Sequence, residues 1–222
     1  MKGVDSMAVL SLENISFSYG KKPVLNGISY EFEKGKMYCI VGKSGAGKTT
    51  LLSLLSGLAS PDSGRILFDG KDVAKINKYD FRSKYIGVIF QSFNLITKFT
   101  AAENVVLSMD ISGSKIKDKK KKAIELLAAV GLDEDEANRR VLKLSGGQQQ
   151  RVAIARALSY DPDIILADEP TGNLDSETQN EIMGIFKDLA QQGKCVILVS
   201  HSAEVAAMCD ERYELKKSQS KK

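Results

Sequence analysis

The sequence predicts an α/β fold whose core is a parallel β-sheet with helices on both faces. Unbroken apolar runs at residues 37–41, 164–167 and 195–199 indicate strands that are buried on both sides. Stretches with helical periodicity at 148–159 and 177–191 alternate with these runs, as in a doubly wound sheet. A glycine-rich turn follows the first run. The 222 residues, with 43% apolar content, are enough for one large domain with a substantial core.

The N-terminal part of the chain shows looser apolar alternation. It predicts strands at residues 8–19, 24–32, 65–68 and 86–90, with turns at 20–23, 33–36, 60–64 and 69–70. The character changes after residue 91, where helices are expected at 103–106, 119–130 and 134–141 and no strand pattern is visible. The sequence therefore predicts a helical insertion within the α/β core.

These patterns divide the chain into three parts. Residues 7–91 and 151–215 are expected to form the core, residues 92–150 the helical subdomain, and residues 216–222 a flexible basic tail. The segment that begins at Met7 resembles a domain start. The chain therefore has two candidate starts, at Met1 and at Met7, with residues 1–6 as a short extension.

The strongest functional signal follows the first apolar run, where the pattern G-x-x-x-x-G-K-[ST] lies between a strand and a helix. Its residues are Gly42, Lys43, Ser44, Gly45, Ala46, Gly47, Lys48 and Thr49, followed by Thr50. The glycines let successive backbone N–H groups face phosphate oxygens, and the helix N-terminus adds positive charge. Lys48 supplies a charge for the β- and γ-phosphates, and Thr49 a hydroxyl for Mg²⁺. An ordinary strand-to-helix turn needs neither group, so we expect a phosphate loop.

Two acids end the apolar run at 164–167. In open α/β sheets, ligands bind at the carboxyl ends of the strands. Asp168 and Glu169 lie at the carboxyl end of the predicted strand at 164–167. Asp168 is expected to hold Mg²⁺, and Glu169 to orient or deprotonate the attacking water. Without the phosphate loop, two acids that merely cap a strand would be an equal alternative.

A second anion-binding helix start is indicated roughly a hundred residues after the first. It consists of Leu144, Ser145, Gly146, Gly147 and Gln148, directly before a predicted helix. A serine N-cap and two glycines leave backbone N–H groups free to bind an anion. Taken alone, an N-cap with flexible glycines explains this pentapeptide equally well.

Together, these three motifs resemble the ATP-binding cassette family, whose hallmark is the pentapeptide, and the resemblance covers nearly the whole chain. It implies a P-loop NTPase fold with a RecA-like parallel sheet core, an antiparallel β subdomain and an inserted helical subdomain. It also implies ATP and Mg²⁺ as cofactors. Finally, it implies a homodimer on ATP binding, in which the pentapeptide of one chain completes the ATP site of the other.

Further positions match the motifs of that family residue by residue. The resemblance implies that Tyr19 stacks on adenine, that Gln91 touches Mg²⁺ and the attacking water, and that His201 contacts the γ-phosphate. It also implies an interface-crossing loop formed by Asn173, Leu174 and Asp175. The expected catalytic residues are thus Glu169, His201, Lys48 and Gln91, and the expected metal ligands are Thr49, Gln91 and Asp168.

Segments at 90–95, 100–105 and 172–175 are similar to the macrolide-exporter and lipoprotein-release group. The resemblance implies the ATP-hydrolysing subunit of a bacterial transporter that exports or extracts a macrolide, an antimicrobial peptide or a lipoprotein. The expected partner is an integral membrane permease, with a periplasmic or extracellular adaptor as an optional addition, and the expected location is cytoplasmic, peripheral on the inner face of the membrane. Lys43 and Val141 depart from the residues common in the group and leave the catalytic groups intact.

Two alternative functions share the cassette. The first is an ATPase that regulates a membrane protein in cell division or envelope signalling without transport, and the same motifs fit it. The second is a soluble cassette ATPase in translation or DNA repair. The sequence argues against this second alternative because it has neither a second cassette nor an inserted coiled coil or zinc site.

Composition narrows the function further. No apolar run reaches the roughly 18 to 20 residues of a membrane span, and no signal peptide is visible, so a membrane role requires a partner. Three cysteines, at 39, 195 and 209, lack paired spacing and fit a reducing cytoplasm.

The chain has a net charge of +4, and its densest basic segment is the lysine run at 115–122. No aromatic residues interleave with these lysines, so no nucleic-acid partner is expected. A solvated surface is the simpler interpretation of the lysine run, and an acidic-lipid patch stays an alternative.

One further pattern is a decoy. Residues 77–80 fit the N-K-x-D signature of guanine recognition, but they precede the acidic strand instead of following it, and we reject the match.

Overall fold

Two β-sheets and a set of helices make up residues 8–217, the part of the chain that this computed structural model describes. The candidate starts at Met1 and Met7 and residues 218–222 of the predicted basic tail lie outside it. The strands are β1 (Leu10–Tyr19), β2 (Lys22–Phe32), β3 (Met37–Val41), β4 (Ser63–Phe68), β5 (Lys71–Asp72), β6 (Ile86–Ile89), β7 (Ile164–Asp168), β8 (Cys195–Ser200) and β9 (Glu211–Glu214). The helices are α1 (Lys48–Leu55), α2 (Lys78–Asp80), α3 (Ala101–Ile111), α4 (Lys119–Ala129), α5 (Glu134–Ala137), α6 (Gly146–Leu158), α7 (Ser176–Gln191) and α8 (Ala203–Ala207).

The larger sheet is parallel throughout, with the strand order β6-β7-β8-β3-β9. Its central strands are almost wholly buried, which is why they appear in the sequence as unbroken apolar runs. The register pairs Val41 with Ser200 and Val199 with Asp168. The carboxyl ends of β3, β7 and β8 therefore meet at one edge, and the loops that follow them meet there too.

The smaller sheet is antiparallel, with the strand order β2-β1-β4-β5. Its apolar face and one face of the parallel sheet share a core that includes Leu10, Phe32 and Ile40. Tyr213 on β9 stacks on Tyr30 of β2 with ring centroids 4.2 Å apart, and this contact joins the two sheets. The opposite face of the parallel sheet packs against α7 and the helices between residues 101 and 158.

α3 and α4 pack against each other and against α6, α5 packs against α3 and α4, and the four helices form the helical part of the molecule. α3 begins with a capping box, in which Thr100 accepts from the N–H of Glu103 and the Glu103 carboxylate accepts from the N–H of Thr100. The proposed domain boundaries themselves stay a prediction. Within residues 8–217, we find no helix that has both the length and the apolar character to cross a membrane.

Several elements differ from the sequence-based expectation. The predicted turn at 20–23 is shorter, because β2 already begins at Lys22. The helix expected at 134–141 ends at Ala137, and a separate 3₁₀ turn covers Val141–Lys143. β5, α2, α8 and β9 were not predicted from the sequence. All four are short, and β9 has alternating half-buried and exposed residues without an apolar run, so it depends on pairing with β3.

Candidate nucleotide-binding site

The phosphate loop connects β3 to α1 at the shared edge of the parallel sheet. Gly47 adopts φ +98° at the N-cap of α1, and a β-carbon there would lie 2.8 Å from Val24 Cγ1. Lys48 Nζ donates to the carbonyl oxygen of Gly42 at 2.8 Å, so the lysine side chain folds back over the loop. The loop thus combines a lysine ammonium with the positive end of α1, which is the arrangement that binds phosphate.

A hydroxyl and a carboxylate meet beside this loop. Thr49 Oγ1 donates to Asp168 Oδ2 at 3.1 Å, joining the start of α1 to the end of β7. Burial raises the pKa of the Asp168 carboxyl above its ordinary value, and the negative charge of Glu169 adds to this, while Thr49 and Lys48 oppose it. Mg²⁺ prefers hard oxygen ligands and is commonly held by one or two protein groups together with phosphates. The pair of Thr49 and Asp168 fits that requirement.

Glu169 is held in the site by its backbone and by its carboxylate. Its backbone has φ +46°, and its N–H donates to the carbonyl of Val199 at 2.9 Å. Its Oε1 lies 2.8 Å from His201 Nδ1, while Oε2 accepts from Ser200 Oγ at 3.2 Å and from the His201 N–H at 3.4 Å. The Glu169 side chain is 13% exposed and that of His201 is 71% exposed. The carboxylate is therefore fixed from three directions, and the imidazole faces solvent.

A cavity of about 1090 Å³ collects most of the residues expected from the sequence. Its lining includes Tyr19, Gly42, Lys43, Ser44, Gly45, Gly47, Lys48, Thr49, Thr50, Gln91, Asp168, Glu169 and His201. Ala46 does not line it, because its side chain is buried beneath the loop. The cavity is large enough for a nucleoside triphosphate, and its polar groups converge on the phosphate loop.

Tyr19 lies at the rim of this cavity, at the end of β1. Tyr19 is 61% exposed, and its ring packs edge-on against Phe17 with centroids 5.0 Å apart. An exposed aromatic face held in this way can stack on a planar base.

Other cavity residues were missed by sequence reasoning. These are Lys22, Pro23, Val24, Val41, Arg212, Glu214 and Lys217. The last three come from β9 and the residues after it, and no local pattern predicted that segment as a strand. Ser200, which holds Glu169, was also missed, although its place at the carboxyl end of β8 was a usable signal.

The pentapeptide lies away from this cavity. Ser145 is the N-cap of α6 and forms a capping box with Gln148, with N–H to oxygen distances of 3.2 and 2.8 Å. A β-carbon on Gly147 would lie 2.6 Å from Thr178 Cγ2. Leu144 is buried, whereas Ser145 and Gly146 are exposed. None of the five residues lines the cavity, so this helix start takes no part in the chain's own phosphate site.

The loop at 173–175 borders the pentapeptide and leads into α7. Asp175 is the N-cap of α7 and accepts from the Thr178 N–H at 2.9 Å and from Thr178 Oγ1 at 2.8 Å. These hydrogen bonds lower the pKa of the Asp175 carboxyl. A β-carbon on Gly146 would lie 3.8 Å from Leu174 Cδ2, so the loop and the pentapeptide form one continuous surface. Asn173 and Asp175 are exposed on it.

Comparison with known proteins identifies the family. Residues 25–172 match the model of the family described as ABC transporter. The chain is 43% identical over 206 residues to the lipoprotein-releasing system ATP-binding protein LolD of Bacteroides fragilis, covering 91% of this chain and 95% of that protein. It is 43% identical over 199 residues to the macrolide export ATP-binding/permease protein MacB of Brucella melitensis, covering 88% of this chain but 31% of MacB.

A solved structure supports the same conclusion. The dimeric, post-hydrolysis structure of the ATP-binding cassette MJ0796 bound to ADP and Pi is 37% identical to the chain, with a TM-score of 0.85. The similarity covers 93% of this chain and 94% of the MJ0796 chain. The chain therefore belongs to the ABC transporter family, as an ATP-binding and ATP-hydrolysing subunit. The α/β fold with a parallel core sheet and the resemblance to the exporter and lipoprotein-release group are confirmed.

Proposed function

We propose that the chain hydrolyses MgATP at the edge where β3, β7 and β8 end. The phosphate loop and Lys48 hold the β- and γ-phosphates, and Tyr19 stacks on adenine. Thr49, Gln91 and Asp168 would hold Mg²⁺, which would supply charge neutralisation at the phosphates. The observation that carries this proposal is the carboxylate of Glu169, which three hydrogen-bond contacts hold beside the phosphate-loop cavity.

The roles of the acid and the imidazole follow from their contacts. Glu169 accepts a hydrogen bond from the attacking water and aligns it with the γ-phosphorus. His201, 2.8 Å from that carboxylate and mostly exposed, orients it and donates to the γ-phosphate. Gln91 completes the water site, since its side chain also lines the cavity.

We propose further that two copies close around two ATP molecules. The exposed pentapeptide start, with Ser145 and Gly146, is an anion-binding helix terminus that its own cavity does not use. In a head-to-tail dimer it would face the γ-phosphate of the partner chain, with the loop at 173–175 crossing the interface. The dimeric form of the MJ0796 cassette supports this arrangement.

The transport partner is proposed to be a separate integral membrane permease, with an adaptor as an optional component. The chain would then be peripheral on the cytoplasmic face of the membrane. Similarity to a lipoprotein-releasing subunit and a macrolide exporter supports export or extraction of a lipoprotein, a macrolide or an antimicrobial peptide, and favours transport over a purely regulatory role. The segment that follows Gln91 and the helical subdomain would pass the conformational change to the permease.

Replacement of Glu169 tests the catalytic proposal. The Glu169→Gln variant should retain ATP affinity and lose turnover by about a hundredfold or more, because a general base contributes roughly 10²–10⁴ to rate. With ATP it should accumulate as a dimer in size-exclusion chromatography with light scattering. The matched control is Glu134→Gln, the same change at an exposed position in the first turn of α5.

Two results would contradict the proposal. Hydrolysis by Glu169→Gln at the wild-type rate would remove this residue from catalysis. A dimer that forms equally well in wild type and variant without ATP would show that nucleotide does not bridge the two chains.

A further inference from the structure

The turn between α3 and α4 carries a concentration of charge that ATP hydrolysis does not use. We define the basic loop as residues 111–121, from the end of α3 to the first turn of α4. It contains Lys115, Lys117, Lys119, Lys120 and Lys121 against a single acid, Asp118. None of its residues lines the nucleotide cavity.

Most of this positive charge has no partner within the protein. Lys119 pairs with Asp110 at 2.5 Å, and the following Lys122 pairs with Glu125 at 3.5 Å. Asp118 is already engaged as the N-cap of α4, accepting from the Lys121 N–H at 2.9 Å. Among residues 8–217, Lys115, Lys117, Lys120 and Lys121 form no ion pair, and all four are exposed.

The lysines of α4 also lie at the unfavourable end of their helix. Cations destabilise the N-terminal turn, where the backbone dipoles already produce positive charge, and α4 has no acidic residue in that turn. The Asp118 carboxylate at the N-cap offsets part of this charge, and the lysines without ion pairs add to the positive potential that remains at the helix terminus. An arrangement that opposes local helix stability is expected where a surface has an external ligand, and here the ligand must be anionic.

Exposed apolar side chains accompany the lysines. Ile111 is 55% exposed at the end of α3, and Ile116 is 39% exposed between Lys115 and Lys117. Tyr79 on α2, 54% exposed, donates a hydrogen bond from its hydroxyl to the carbonyl oxygen of Ile111, so its ring adjoins the same surface. Isoleucine and tyrosine side chains between lysines suit a membrane interface, where apolar groups enter the acyl boundary and ammonium groups stay at the headgroups.

We propose that the basic loop binds the surface of an anionic phospholipid bilayer. The lysines attract the phosphate-bearing headgroups, and Ile111, Ile116 and Tyr79 insert at the boundary. This contact would hold the subunit against the membrane in addition to its permease. The inference rests on the proposed peripheral location, and it adds a lipid partner that acts independently of ATP hydrolysis. A nucleic acid is the weaker candidate, because Ile111 and Ile116 offer no stacking surface for bases and Tyr79 is the single aromatic side chain that accompanies the lysines.

Vesicle flotation of the full-length chain tests this proposal. Vesicles of phosphatidylcholine with about a third phosphatidylglycerol should bind the protein, and vesicles of pure phosphatidylcholine should not. Lys117→Glu combined with Lys120→Glu should lower binding by more than about tenfold, since each lysine near an anionic surface contributes roughly fivefold. The matched control is Lys71→Glu combined with Lys187→Glu, which changes net charge equally at exposed lysines outside the loop. Ile116→Ser should weaken binding without altering its dependence on salt.

ATP hydrolysis by the same proteins separates this proposal from the catalytic one. Both double variants should hydrolyse ATP like wild type. Failure of the wild-type protein to bind the phosphatidylglycerol vesicles, with its hydrolysis intact, would overturn the lipid contact alone. Equal losses in the loop variant and its control would also overturn it, because net charge would then suffice. Salt-sensitive binding to DNA that the loop variant abolishes, without vesicle binding, would assign the surface to nucleic acid instead.

Discussion

Ser200 offers a direct test of how Glu169 is positioned. Ser200 is buried at the end of β8, donates to Glu169 Oε2 at 3.2 Å and accepts from the Ser202 N–H at 3.1 Å. In Ser200→Ala the carboxylate loses one of its partners but keeps both contacts with His201. A hydrogen bond to a charged group contributes about 1.5–3 kcal/mol, and a loss of 1.4 kcal/mol is a factor of ten in rate. Because the other contacts remain, we expect the lower end, about a tenfold loss of kcat.

The assay is phosphate release at saturating MgATP, with KM and the melting temperature measured alongside. The melting temperature should fall by about 2–6 °C, since the Ser202 N–H loses its acceptor at about 1–2 kcal/mol. Ser202→Ala is the control, because Ser202 caps α8 by accepting from the Val205 N–H. Its loss should lower stability by about 1 kcal/mol and leave turnover unchanged. Ser200→Thr should restore the rate.

The reasoning is refuted if Ser200→Ala turns over within twofold of wild type. It is refuted equally if Ser202→Ala loses as much activity as Ser200→Ala, because the effect would then follow stability and not the position of the carboxylate.

Three further predictions use other parts of the structure. Gly64→Ala should destabilise the fold by about 2 kcal/mol or more in denaturant titration, because Gly64 has φ +87° and the new β-carbon would lie 2.4 Å from the Glu13 carbonyl oxygen. The control Gly70→Ala, at φ +72° with open space around the new β-carbon, should lower the free energy of unfolding by less. Burial raises the pKa of the Cys195 thiol from 9.0 to about 12. The unfolded chain therefore loses this proton at lower pH than the native protein does, and the free energy of unfolding should decline as pH rises above 9. Alkylation of Cys195 at pH 9, followed by mass spectrometry, should be more than about a hundredfold slower in the native protein than in denaturant. Tyr19→Ala should weaken ATP binding about tenfold in calorimetry without lowering the melting temperature, whereas Tyr19→Phe should bind like wild type, and equal affinity in the alanine variant would exclude stacking.

Much of the candidate site could be predicted from short segments. The phosphate loop follows from local order alone, since an apolar strand, a glycine-rich turn and a helix start occupy consecutive residues. Asp168 and Glu169 could be predicted because one buried strand ends beside them, and parallel strands share their carboxyl edge. In both cases the residues that produce the structural feature lie within about ten positions of the motif that predicts it.

The residues that were missed depend on contacts between distant segments. β9 has no apolar run, and it becomes a strand by pairing with β3, far away in the chain; this pairing places Arg212 and Glu214 in the cavity. The hydrogen bond from Ser200 to Glu169 joins the ends of two strands that only the sheet brings together. The sequence by itself determined the apolar strands, the phosphate loop and the two acids, because apolar runs, glycine-rich turns and helix-start residues are patterns of neighbouring residues. Only the tertiary structure decided which edges pair and how Glu169 is held, because backbone pairing and side-chain hydrogen bonds depend on distances that no stretch of sequence contains.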